Sequence, residues 1–289
     1  MTQIHIRSAQ QTARPSESQL LQIPCPVVRS VTASGALGPD LSQVSADSIK
    51  RAFAALAADP KVGNLGALIA LIGGNATRSS ALDAVRNVLT NLITQRVDLT
   101  ALRGSLIDKP FPRDTGVLDK RADGRPAIEE FERLTSFAGD FSPKAGGPSE
   151  KGFDQAAIDG LIEANMARMK SNPVGAKIDE AIARGEFKPL LDVFGQESTE
   201  GKKYVPLSYL SSLYIEHTLP PAFQARIDAL LEMHGNGSLA EIASKAAETS
   251  GAALGIAAAT GQPNGSAGVV KALTGLCPFM NAQASSKQD

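Results

Sequence analysis

The chain has 289 residues, with 29 Lys and Arg against 30 Asp and Glu, a formal net charge of −1. That balance leaves no excess cation to displace phosphate counterions, which argues against polyanion binding, so no nucleic-acid partner is expected. Hydrophobic residues make up 43% but Trp is absent and aromatics are 4%, so Ala, Leu, Ile and Val must build the core; no apolar run approaches the ~20 residues of a membrane span.

Residues 1–20 are polar and contain Pro15, and are expected to form a flexible arm ahead of a domain over 21–280, with 281–289 as a tail. The start MTQIHIRSAQQ lacks the apolar core of an export signal, so an intracellular location is favoured, with secretion the alternative if a leader has been trimmed from the chain. Cys25 reads as a helix N-cap, Pro26 as the first helical position and Gly35 as the stop. Ser45 is placed to cap a helix with Ile49, Phe53 and Leu56 on one face. Residues 79–97 carry the clearest stripe, Leu82, Val85, Leu89, Leu92 and Ile93. Pro126 opens a helix bearing Ile128, Phe131 and Leu134, and a Gly-, Pro- and Ser-rich loop is expected over 139–152.

The next helix is expected over 153–171, with Ile158, Leu161, Ile162, Met166 and Met169 facing inward, and a short one over 174–184. Pro206 starts a helix carrying Leu207, Leu210 and Tyr214 that stops before Pro220. Helical segments over 222–234 and 238–258 follow, then a loop over 261–268 and a short segment to Cys277. No stretch alternates apolar and polar residues for long enough to read as a strand, so the expected fold is all-α, a single domain of about ten helices.

Two cysteines, Cys25 and Cys277, are too few for a disulfide framework, and His5, His217 and His234 lie far apart with no zinc-site spacing. His217 reads as a C-terminal helix residue favoured by the helix dipole. The informative stretch is Pro24-Cys25-Pro26-Val27-Val28-Arg29. As an N-cap, the sulfur of Cys25 is expected to face the backbone N–H groups of Val28 and Arg29, and these donors with the helix dipole favour thiolate. The competing reading is an inert, buried cysteine at a helix start. Cys277-Pro278 repeats the pair without the first proline or a following helix, which makes Cys277 the second candidate thiolate.

The run PCPVVRSVTASGALGPDLSQVSADSIKRAF resembles the opening of the heme-thiolate peroxidases, the family of chloroperoxidase and the unspecific peroxygenases. The resemblance covers residues 24–56 through Pro24-Cys25-Pro26, Gly35, Leu37, Pro39 and the Ser45-started helix to Ala52-Phe53; Ala33-Ser34 stand where the family usually has Asn-His. It implies a chloroperoxidase-like helical fold enclosing heme b, with Cys25 as the axial ligand of the iron. Further along, Pro112-Arg113-Asp114 is similar to the family's acidic motif. Asp114 matches its Asp, but Pro112 replaces the Glu that helps hold a magnesium or manganese ion against a heme propionate. Arg113 is an alternative partner for that propionate.

Glu163-Ala164-Asn165-Met166-Ala167-Arg168 is similar to the family's pattern for the acid above the heme. The resemblance implies Glu163 as the group that moves a proton between the oxygens of hydrogen peroxide, with Arg168 completing the pattern. Asp159, one turn earlier, lies nearer the apolar face and is the runner-up. Phe53, Phe131 and Met166 are the expected pocket walls. The function this implies is a peroxidase or peroxygenase that uses hydrogen peroxide to oxidise, oxygenate or halogenate a small organic substrate. The alternative is a heme-free helical domain of the same fold that binds an apolar ligand or a protein. Substrate identity and oligomeric state are not encoded in any motif.

Overall fold

The structure, a computed structural model, describes residues 15–23, 25–64, 67, 90–101, 128–168, 180, 184, 187, 190–233 and 237–253. Of these, 62% are helical, and two small antiparallel sheets accompany the helices. Among the described residues no helix is long and apolar enough to cross a membrane.

The first described element is α1 (Glu17–Leu20), a single turn within the segment expected as a flexible arm, most of which lies outside the described residues. The local reason is a capping box: Gln19 N–H donates to the Ser16 hydroxyl, and the Ser16 N–H donates to the Gln19 side chain at 2.9 Å. α2 (Pro26–Ala33) follows, with Cys25 as N-cap and Pro26 at the first position. It ends as expected at Gly35, whose φ of 88° is the left-handed conformation a glycine adopts without a Cβ clash.

Strand β1 (Val44–Ser45) pairs antiparallel with β2 (Arg96–Val97), and the Ala46 N–H donates to the Gln95 carbonyl at 2.8 Å. This two-strand clip fixes the entry of α3 (Ala46–Ala57). Ser45 caps that helix by accepting from the Ser48 N–H at 3.0 Å, and the expected face is buried at Ile49 and Leu56 and half-buried at Phe53.

α4 (Ile128–Thr135) buries Leu134 completely but leaves Ile128 48% exposed, so the predicted stripe begins a turn later than expected. The segment expected as a loop is instead part of a sheet. β3 (Gly139–Phe141), β4 (Glu150–Asp154), β5 (Gln196–Glu197) and β6 (Lys203–Pro206) lie in the order β3-β4-β6-β5, every pair antiparallel. Tyr204 holds it together. Its ring stacks on Phe141 with centroids 4.4 Å apart, and its hydroxyl donates to Glu150 Oε1 at 2.8 Å. The ring lies across Gly152, where an added Cβ would come within 2.4 Å of Tyr204 Cδ2.

β4 runs directly into α5 (Gln155–Arg168) and the antiparallel β6 into α6 (Leu207–Ser211), so the two helices leave the sheet in opposite directions. α5 starts two residues later than the apolar pattern suggested because Phe153 belongs to β4. Asp154 Oδ1 accepts from the Ala157 N–H at 2.9 Å and caps the helix. α6 continues as a π-helical turn over Ser212–Glu216 that ends at His217 in the left-handed region, φ 57°. α7 (Pro221–Glu232) and α8 (Leu239–Ala253) pack against α3 and complete the core, in which Ile227, Leu230, Ile242 and Ala246 are buried.

Candidate functional site

Two sets of polar side chains sit against this core. The first gathers around the start of α2. Cys25 has an extended backbone, φ −78° and ψ 119°, and is half-buried. Its sulfur does not accept from the first-turn N–H groups, contrary to the expectation for Val28 and Arg29. The reason is local. The Arg29 N–H makes the first α-helical bond, to the Cys25 carbonyl at 2.9 Å, so the main chain rather than the sulfur takes that donor. Pro26 is buried and has no N–H to offer.

Arg29, one turn beyond Cys25, is only 6% exposed. Its Nε and Nη2 both donate to the Ile23 carbonyl, at 2.9 and 2.7 Å, a fork on the chain two residues before the cysteine. Its Nη1 lies 3.3 Å from His217 Nε2. A guanidinium can only donate, so Nε2 is the acceptor and the imidazole proton is on Nδ1. That Nδ1 is buried, without a hydrogen-bond partner among the described residues. Burial first, then the Arg29 charge, hold His217 below its ordinary pKa. The ring is a neutral acceptor, and it stands at the C-terminal end of the helical turn, where the sequence placed it.

The second set lies along α5. Ile158, Leu161 and Ile162 face the core as expected, together with the fully buried Asn165; Met166 and Phe131 are half-buried. Glu163 points to solvent. Asp159 is the more buried of the two carboxylates, as the helical geometry predicted, and its Oδ1 accepts from Arg184 Nη1 at 2.6 Å and from Gln155 Nε2 at 3.1 Å. Arg168 is exposed and spans both oxygens of Glu130, at 3.2 and 3.1 Å. Arg133 adds its Nε to the same carboxylate at 2.7 Å and its Nη2 to Asn165 Oδ1 at 2.5 Å. Arg168 first, and Arg133 behind it, hold Glu130 below the ordinary carboxylate range. Asn165 Nδ2 is buried without a hydrogen-bond partner among the described residues.

Pro24, Pro112, Arg113, Asp114, Cys277, His5 and His234 lie outside the described residues, as does most of the 79–97 stripe. Sequence reasoning did not single out Arg29, Arg133, Glu130 or Asn165. Their partners come from other elements, and no periodicity signals a contact such as Arg29 with His217, 188 residues apart. Comparison of the chain with protein-family models, with curated proteins and with solved structures gives no match.

Proposed function

We propose that the protein is a heme-thiolate peroxidase or peroxygenase that uses hydrogen peroxide to oxidise a small organic substrate, with Cys25 as the ligand of a heme b iron. The observation that carries this reading is the station of Cys25. It stands half-buried at the N-cap of an eight-residue helix, with Pro26 in the first turn and Arg29 clasping the chain behind it. A sulfur at the positive end of a helix favours the thiolate, the form that ligates iron. An iron held by one axial thiolate needs no cluster of further side-chain ligands.

Bound at Cys25, heme supplies peroxide activation, the thiolate lending the electron density that favours O–O cleavage. The chain's own part is to keep the sulfur in place, to wall the substrate with apolar side chains such as Phe53, Phe131 and Met166, and to move one proton. On α5 the proton carrier is a carboxylate oxygen of Glu163 or of Asp159. Asp159 Oδ1 is engaged by Arg184 and Gln155, whereas Glu163 makes no hydrogen bond or ion pair with the described residues. Asp114 matches the Asp of the family's acidic motif, and Arg113 is the alternative partner for a heme propionate. The outward position of Glu163 favours a second reading, a heme-free helical domain that binds an apolar ligand or a protein.

An absorption spectrum separates the two. The first reading expects a Soret band that moves, on reduction and addition of CO, to the position of a thiolate adduct. Cys25→Ala is expected to abolish heme retention while Cys277→Ala keeps it. A colourless protein that takes up no hemin selects the second reading, and loss of the thiolate spectrum on Cys277→Ala alone moves the ligand to that residue.

A further inference from the structure

We propose that Arg29 and His217 form a brace that positions Cys25, so that the late π-helical turn, 188 residues away, controls the sulfur at the start of α2. The fork from Arg29 to the Ile23 carbonyl closes a loop of chain with Cys25 inside it. Cys25 cannot shift along this loop unless two hydrogen bonds from a charged donor lengthen together. Each such bond is worth more than a neutral one, and leaving a buried guanidinium short of acceptors costs more still. Ile23 is itself fully buried, so its carbonyl is anchored on the core side.

His217 completes the brace from the other end. The π-helical turn over Ser212–Glu216 and the left-handed conformation at residue 217 deliver the imidazole to Arg29. π-helical turns inside helices concentrate at functional positions. A neutral acceptor suits this place, because a cation beside Arg29 would push the guanidinium off its fork. The charged groups that face the ring are Arg29 from α2 and Glu17 from α1. Arg29 and His217 are thus positioning residues. They act through the backbone that carries the sulfur, not on any reacting atom.

The brace rests on the reading of Cys25 as the working sulfur, but the two fail separately. Hemin uptake by the unaltered chain tests the reading. Alkylation of Cys25 by iodoacetamide, in the full chain carrying Cys277→Ala and prepared without hemin, tests the brace. Mass spectrometry follows the thioether at Cys25, and thermal midpoints confirm that each variant is folded. Loss of a hydrogen bond to a charged group is expected to loosen the loop enough to change the alkylation rate about tenfold. Arg29→Lys, which keeps the charge but not the fork, and His217→Phe, which keeps the bulk but not the acceptor, should both show it.

His217→Asn supplies a carbonyl acceptor and tolerates the left-handed conformation, so it should return the rate to within about twofold of the parent. A parental rate in folded Arg29→Lys and His217→Phe overturns the proposal. So does a His217→Asn rate equal to that of His217→Phe, because the ring would then act as filler and not as an acceptor.

Discussion

Arg29 and Arg168 carry the same side chain into opposite surroundings. Arg29, 6% exposed, divides its donors between a backbone carbonyl and a neutral imidazole. Arg168, on the outer face of α5, lies across the half-buried Glu130 carboxylate with its own side chain 41% exposed. The difference teaches that a charged side chain takes its task from its solvent. In water an ion pair is a weak and replaceable contact. In the interior the same guanidinium becomes a rigid connector, because each unmade bond is costly.

The largest expected effect concerns the α5 side. If a carboxylate there moves the proton, Glu163→Gln or Asp159→Asn should slow peroxide activation by roughly two to four orders of magnitude, read by stopped-flow with the heme-loaded protein. A large loss for Asp159→Asn with no change for Glu163→Gln would assign the role to the carboxylate nearer the core, and parental rates in both would leave α5 without a catalytic part.

A smaller effect tests the comparison directly. Arg29→Met should lower unfolding free energy by about 2–3 kcal/mol, since it strips the charged donors from a buried carbonyl and imidazole. Arg168→Met should cost under about 1 kcal/mol, as exposed pairs do. Urea denaturation reads both, and equal losses would erase the distinction drawn between the two arginines.

The smallest effect is a pH dependence. His217 is held below its ordinary value of 6.5 in the folded chain, so above that pH both states are neutral there and stability is full. As pH falls below it, the unfolded chain binds a proton that the folded chain refuses, and stability declines until the folded pKa is reached. His217→Asn removes this contribution. The loss of thermal midpoint between about pH 7.5 and about pH 5.5 should therefore be smaller in the variant than in the parent. An unchanged pH slope would mean that the imidazole is not the group responsible.

What could be read in the sequence follows from the range of each interaction. The cap at Ser45, the buried face of Ile49 and Leu56 and the stop at Gly35 are local, and the one-dimensional pattern carries them. The greater burial of Asp159 over Glu163 follows from helical geometry in the same way. The four-stranded sheet was not legible, because its strands are two to five residues long and include Gly, Lys and Pro. Alternation over so few positions is no signal, and the sheet depends on Tyr204 lying over Gly152 from another segment. The sulfur environment was half legible. The N-cap and the proline are local, whereas the Arg29 contact with His217 exists only once the chain is folded.

The widened turn over Ser212–Glu216 amounts to one surplus residue inserted into a helix. Excising one of those five positions would restore ordinary α-helical winding, and four residues at about 100° each would sweep almost the arc that five now sweep in the wider turn. His217 would then come round to nearly the same side of the axis, still turned towards Arg29. Length in this stretch is thus under looser constraint than the identity of residue 217: a one-codon deletion is absorbed by rewinding, while loss of the imidazole acceptor uncouples the two ends of the molecule.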